Sequence, residues 1–266
     1  MTTRGAWIDD PPVLVKTPAF WRSFQEHGLT NGALMIESSA AGLDLNYTPE
    51  ALHALSELAA DFGVTLTLTV WPEPKQTYIS LLNAKINGLL DAARATGLEC
   101  DLESNWTSKN LQGYPSIDAA GDALVQVLDR VSADWGPKTI VTTFPLHVEN
   151  SSRADVTSHV SMAMPQAYSV RDRATGPVEW NDKLGPGNCQ RLTLDLTKQI
   201  KGPRLGCGLA AYDQVWPGHT GEEAMRIAYT AAMMYEPVAL CWWSTKWIFG
   251  VKANGYSSRF LKSLPR

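Results

Sequence analysis

Short apolar stretches alternate with longer amphipathic ones along this chain, and the alternation repeats eight times. Gly5–Asp9 opens as a strand and is followed by a helix near Pro18–His27. Ala33–Glu37 is the second strand. Its helix starts at Thr48-Pro49-Glu50, where Thr48 is the N-cap and Pro49 fills the first helical position. Val64–Val70 is dense in β-branched residues and predicts the third strand. The spacing then predicts a helix over about Thr77–Thr96, capped by Gly97. Leu98–Glu103 is strand four, with a helix over Ile117–Asp134. Thr139–Phe144 and Val160–Tyr168 are strands five and six, separated by a short helix near Ser152–Ser158. A long loop, Ser169–Gly187, precedes a helix near Gln190–Ile200; loops of such length are often functional. Arg204–Tyr212, a helix over Gly221–Tyr235, Val238–Trp243 and a closing helix over Ser257–Leu264 complete the series.

Eight strand-then-helix units in about 260 residues match a single-domain α/β (β/α)8 TIM barrel spanning residues 1–266. The competing architecture, a doubly wound open sheet, usually carries a Gly-rich phosphate loop after its first strand. Here that strand runs into Asp9-Asp10-Pro11-Pro12, a poor cradle for phosphate.

The net charge of −4 and a pI of about 5.7 argue against a protein that holds nucleic acid through its phosphates. No apolar run approaches a membrane span, so no membrane insertion is expected. The N-terminus does not resemble a signal peptide, so synthesis in a cytoplasm is the expectation, with action at a bacterial cell wall after release compatible with it. The four cysteines show no CxxC spacing and read as reduced thiols, those at 100, 207 and 241 buried in strands and Cys189 in a loop or helix start. His27, His53, His147, His159 and His219 form no HExxH or paired spacing, so neither metal nor another cofactor is expected. The oligomeric state is open.

Strand four carries the most informative pattern. Side chains alternate across a strand, so Leu98, Cys100 and Leu102 share one face while Glu99, Asp101 and Glu103 share the other. Three acids on one face repel and lose hydration, which folding alone does not reward. A pocket that moves protons on a substrate does reward it. Active sites of (β/α)8 barrels lie at the C-terminal strand ends. Those ends carry Asp9 and Asp10, Glu37, Trp71 with Glu73, Asp101 with Glu103, Phe144 with His147, Gln166 and Tyr168, Tyr212 with Gln214, and Trp242 with Trp243. Acids, amides and aromatic rings together are a sugar-binding rim: rings stack on the apolar sugar faces, and polar groups take the hydroxyls. Ten Trp residues favour the same reading. Glu103, nearest the strand end, is the candidate general acid. Asp101 and nearby rings are expected to raise its pKa.

The chain resembles TIM-barrel glycoside hydrolases of the lysozyme family 25 type, which carry an Asp at the end of strand one and a D-x-E at the end of strand four. Trp7-Ile8-Asp9-Asp10 and Asp101-Leu102-Glu103 stand in those places, and Leu240-Cys241-Trp242-Trp243 resembles the Trp-bearing last strand. That resemblance implies cleavage of the peptidoglycan glycan strand, as in phage endolysins. The chain is also similar to family 18 chitinase-like barrels, with D-x-x-D-x-D-x-E on strand four. Of that signature Thr96–Glu103 keeps the last Asp and the Glu, with Thr96 and Glu99 at the two earlier Asp places. Met164–Tyr168 resembles the Tyr-bearing sixth strand of that family. Both families act on N-acetylated amino sugars.

The implied mechanism is substrate-assisted hydrolysis. Glu103 protonates the leaving oxygen, and the substrate's acetamido oxygen attacks the anomeric carbon. Asp101 orients the acetamido group, Tyr168 hydrogen-bonds it, and Asp9 or Asp10 binds the sugar or tunes Glu103. Alternation turns only one of Asp9 and Asp10 inward, and the family pattern favours Asp9 as the third catalytic residue. If Asp9 instead activates water, inversion follows. Asp10, Glu37, Trp71, Gln166, Tyr168, Tyr212, Trp242 and Trp243 are the candidate sugar-binding residues of a polysaccharide partner. Two other classes stand beside this one: a barrel that binds carbohydrate without cutting it, and a metal-dependent barrel hydrolase.

Overall fold

The computed structural model describes residues 2–37, 45–103, 105–136, 138–143, 151–168, 187–212 and 218–265. Eight strands, β1 (Thr3–Ile8), β2 (Asn31–Met35), β3 (Thr65–Val70), β4 (Gly97–Leu102), β5 (Thr139–Thr143), β6 (Met162–Pro165), β7 (Arg204–Ala210) and β8 (Ala239–Trp243), close into one barrel. Every pairing is parallel, and β1 completes the ring against β8 with Gly5 opposite Cys241. The expected (β/α)8 barrel is therefore the observed fold.

Alternation sorts the side chains into two cores. Ile8, Leu34, Leu68, Leu98, Cys100 and Leu102 point outward and pack under the helices. Trp7, Ala33, Ile140, Met164, Ala239 and Cys241 point inward and fill the barrel. Trp7 reaches right across: a Cβ on Gly208 of β7 would lie 2.7 Å from its ring. In the N-terminal half of the barrel a cavity of about 180 Å³ remains, with Glu99, Asn31, Thr67 and Met162 in its wall.

The helices start where capping chemistry places them. Thr48 accepts from the Ala51 N–H with Pro49 at the first position, and Thr17, Ser116 and Thr220 cap in the same way. Most element boundaries differ from the sequence reading by one or two residues, and two differ by more, each for a local reason. The helix expected over Thr77–Thr96 spans Gln76–Ala92 and ends as Arg94 enters the left-handed region at φ 44°. Gly97 is thus no cap. It begins β4, where a Cβ would lie 2.8 Å from the Lys138 carbonyl oxygen. The strand expected over Val160–Tyr168 keeps its ladder only for Met162–Pro165, since Pro165 has no N–H to extend it. Short helices at Pro12–Val15 and Thr245–Ile248 follow β1 and β8, where none was expected. All four cysteines, Cys189 included, are buried free thiols. None of the described helices is long and apolar enough to cross a membrane.

Candidate active site

The acid face of β4 points into the barrel and up through its mouth. Glu99 is deepest, 1% exposed, and accepts three hydrogen bonds: from Trp7 Nε1 at 2.6 Å, Thr142 Oγ1 at 2.5 Å and Thr69 Oγ1 at 3.3 Å. Burial raises its pKa against these three donors. One pleat higher, Asp101 accepts from Gln166 Nε2 at 2.8 Å. Glu103 accepts from the same nitrogen at 3.0 Å. The two N–H bonds of one amide thus hold both carboxyls side by side, and the carboxyls hydrogen-bond each other.

Burial holds Asp101 well above the usual carboxylate range, and the neighbouring Glu103 and Glu99 add to it. Burial also raises Glu103, but the rise expected from Asp101 is corrected: the hydrogen bond between the two carboxyls, like that from Gln166, lowers Glu103. Two carboxyls in contact cannot both ionise cheaply, so the pair shares a proton beyond the ordinary carboxylate range, and burial disfavours ionisation most at Asp101. Burial raises the Tyr168 phenol too, with Asp101 adding to the rise, so its hydroxyl stays protonated.

Aromatic rings complete the mouth. Tyr168 and Tyr212 meet edge to face at 5.8 Å, and Tyr212 meets Trp247 at 6.4 Å. Trp243 packs on this group and also lies 5.8 Å from Trp7. The structure therefore gathers Asp101, Glu103, Gln166, Tyr168, Tyr212 and Trp243. It adds Trp7, Thr69, Thr142 and Trp247, which sequence reasoning did not select. For Trp7 a signal existed: it shares the strand face of Asp9.

The other candidates are engaged by other partners. Asp9 accepts from Ser244 Oγ, just past the cis Trp243–Ser244 peptide, and from Lys246 Nζ at 2.8 Å, so a cation already compensates its charge. Asp10 is buried and turned to Thr245 Oγ1 at 2.6 Å under the Thr245–Ile248 helix; it is structural. Glu37 brackets β2 to β3, taking the Trp71 backbone N–H at 2.9 Å and the Tyr78 hydroxyl. Trp71 stays partly exposed at the end of β3, and its indole N–H has no hydrogen-bond partner among the described residues. Glu73 pairs with Lys75 at 3.0 Å.

Trp242 is a correction. Alternation sends it outward, opposite to Trp243, and it lies fully buried with its ring 5.8 Å from Phe260. It is part of the outer core and out of reach of any sugar in the barrel. Phe144, His147 and Gln214 lie outside the described residues, as does the loop 169–186. Among the described residues, no group of three or more His, Cys, Asp or Glu side chains could hold a metal ion.

The acid ladder opposes stability. A carboxyl with a raised folded-state pKa binds its proton more tightly folded than unfolded, so stability falls as pH rises from the ordinary range near ~4 through the raised values. Asp101→Asn removes one such group while keeping an acceptor for Gln166. Its melting temperature is expected to exceed that of the wild type at pH 7 and to approach it as pH falls toward 4. Thermal melts across that range check this; a lower melting temperature at pH 7 would count against the buried, proton-holding Asp101.

No known protein family and no curated protein matches the chain in sequence. Solved structures do resemble it. One is the Group IV chitinase of Ostrinia furnacalis in complex with allosamidin, with TM-score 0.64 and 11% identity over 99% of this chain and 98% of that one. Another is the catalytic domain of the hyperthermophilic chitinase from Pyrococcus furiosus, with TM-score 0.58 and 16% identity over 92% and 84%. A third is the β-mannanase of the blue mussel Mytilus edulis, with TM-score 0.56 and 12% identity over 98% and 91%. At such identities the likeness establishes one thing, that this chain is a (β/α)8 barrel.

Proposed function

We propose that the protein is a glycoside hydrolase that cuts polymers of N-acetylated amino sugars by a substrate-assisted route. The observation that carries this is the Gln166 amide clamping Asp101 and Glu103 together near Tyr168, within an aromatic mouth. The likeness of the barrel to chitinases supports the same class of chemistry.

In this reading the substrate's acetamido N–H donates to Asp101. That bond favours the ionised form of Asp101, so the shared proton passes to Glu103. Glu103 then protonates the leaving glycosidic oxygen. The acetamido oxygen attacks the anomeric carbon as the C–O bond breaks, giving a cyclic intermediate whose positive charge Asp101 balances. Tyr168 donates its hydroxyl hydrogen to the same acetamido oxygen. Water, deprotonated by Glu103, opens the intermediate with net retention.

Two polymers fit. A chitin-type chain is favoured by Asp101, Glu103 and Tyr168, the positions that the family 18 resemblance implies, lying in one mouth. The peptidoglycan strand, cut in a lysozyme-like manner as by an endolysin at the cell wall, is favoured by Asp9 at the end of β1. The Lys246 partner makes Asp9 a poor water-activating base, so retention is expected on either polymer. The test is incubation with β-1,4-linked N-acetylglucosamine oligomers and with purified peptidoglycan, followed by mass and anomer analysis of the fragments. New reducing ends on amino sugars with retained configuration support the reading; intact polymers in both arms overturn it.

The raised carboxyls also set the pH profile. Loss of the last shared proton ends activity, so the alkaline limb of kcat/KM is expected above the ordinary carboxylate range. Glu99→Gln removes a negative neighbour that helps raise Asp101, and Gln still accepts from Trp7. Its limb is expected at lower pH than that of the wild type, and an upward shift would contradict the ladder.

A further inference from the structure

We infer that Gln190 is a positioning residue, which holds Gln166 and Tyr168 in place from the following helix. The ladder between β5 and β6 ends at Thr143 and Pro165, so residues 166–168 lie beyond it. On the β7 side they are bound by the bridge of Gln166 with Gly208 and by a bond from the Ala167 N–H to the Gly208 carbonyl at 2.9 Å. The Ala167 carbonyl is taken by Gln190 Nε2 at 2.7 Å, and the Tyr168 carbonyl by the Cys189 thiol at 2.9 Å. Both grips come from the first turn of the helix Asn188–Lys198.

Gln190 is fully buried and uses both ends of its amide. Oε1 accepts from the Gly187 N–H at 2.8 Å, capping the helix, while Nε2 faces the strand. A carboxylate could do the first but not the second. The helix start and the strand end are thus tied through one side chain, and the two residues that contact or neighbour Asp101 flank the tied carbonyl. Cys189 strengthens the tie, and Thr193 Oγ1 anchors the Cys189 carbonyl at 2.9 Å.

The effect on turnover rests on the proposed hydrolase reading, but the tie itself has an independent readout. In Gln190→Met, of similar size and without hydrogen bonds, amide exchange at Ala167 is expected to quicken by about tenfold, the scale of one lost hydrogen bond. The Leu209 amide in β7 is the internal control. On N-acetylglucosamine oligomers kcat is expected to fall about 10- to 100-fold with KM changed far less, since misplacement acts on the reacting geometry. Gln190→Glu is the second variant. Ionised, it cannot donate to Ala167; protonated, it can, so its kcat relative to wild type is expected to recover as pH falls. Exchange at Ala167 and kcat both within twofold of wild type in Gln190→Met would overturn the inference. So would a kcat ratio in Gln190→Glu that does not recover at low pH, should the Met variant fail to fold. A wild type inactive on every amino-sugar polymer would overturn the hydrolase reading instead, and Ala167 exchange would then decide the tie.

Discussion

Replacing Glu103 by Gln is expected to cut hydrolysis of N-acetylglucosamine oligomers or peptidoglycan by about 10²- to 10⁴-fold, the range for loss of a general acid. The variant is expected to fold and to bind. The substituted amide would keep an oxygen for the Gln166 N–H that Glu103 now accepts at 3.0 Å, and its own N–H can donate to Asp101. What the substitution removes is a proton acidic enough to leave with the glycosidic oxygen. The measurement is kcat by reducing-end release, alongside oligosaccharide binding by calorimetry. Turnover within tenfold of wild type would remove Glu103 from the acid's role. Binding lost together with turnover would point to a carbohydrate-binding role for the carboxyl rather than acid catalysis. The result also separates an enzyme from a barrel that merely binds sugar, because binding alone does not need the proton.

The second large effect is on stability. Trp242→Ala is expected to cost about 3–5 kcal/mol, the usual penalty for deleting a fully buried aromatic ring. For a domain of this size that is a fall of roughly 10 °C or more in melting temperature. The ring of Trp242 packs on Phe260, in the layer between β8 and the closing helix Tyr256–Ser263. Its indole N–H is buried with no hydrogen-bond partner among the described residues, so Trp242→Phe is expected to cost far less than Trp242→Ala. Activity per folded molecule is expected to hold in both. Trp243, half-buried at the mouth, is its opposite: Trp243→Ala is expected to act on binding and turnover more than on melting. A Trp242→Ala protein that melts like wild type but no longer binds sugar would reverse this assignment.

The two tryptophans show what a sequence conceals and what it reveals. The period-2 rule that separated Glu99, Asp101 and Glu103 from Leu98, Cys100 and Leu102 also separates Trp242 from Trp243. The β4 acids could be oriented because their apolar partners name the outer face. In Ala239–Trp243 every residue is apolar, so the pattern itself does not say which face looks inward, and only the closed ring settles it. Strand count, strand order and the acid pair were legible because periodicity and charge are local. The Gln166 clamp, the Trp7–Glu99 bond and the Lys246 partner of Asp9 were not. They join residues 63, 65, 92 and 237 positions apart, and no local signal encodes such a meeting. Gly97 misled for the opposite reason: its position after a helix fits a cap, while its use is to let β4 pass close to the Lys138 carbonyl.

Trp7 divides the barrel it crosses. Above it stand the proton-sharing carboxyls, whose burial works against folding; below it lies the cavity of about 180 Å³ walled by small side chains such as Ala33 and Ala239. Glu99 belongs to both: it is the foot of the acid ladder, bonded to Trp7, and part of the cavity wall. Larger apolar side chains at Ala33 or Ala239 can recover packing contacts in this cavity, one pleat or more from Asp101 and Glu103. The Trp7–Glu99 bond at the partition is therefore where the sturdiness of the barrel and its chemistry stay coupled.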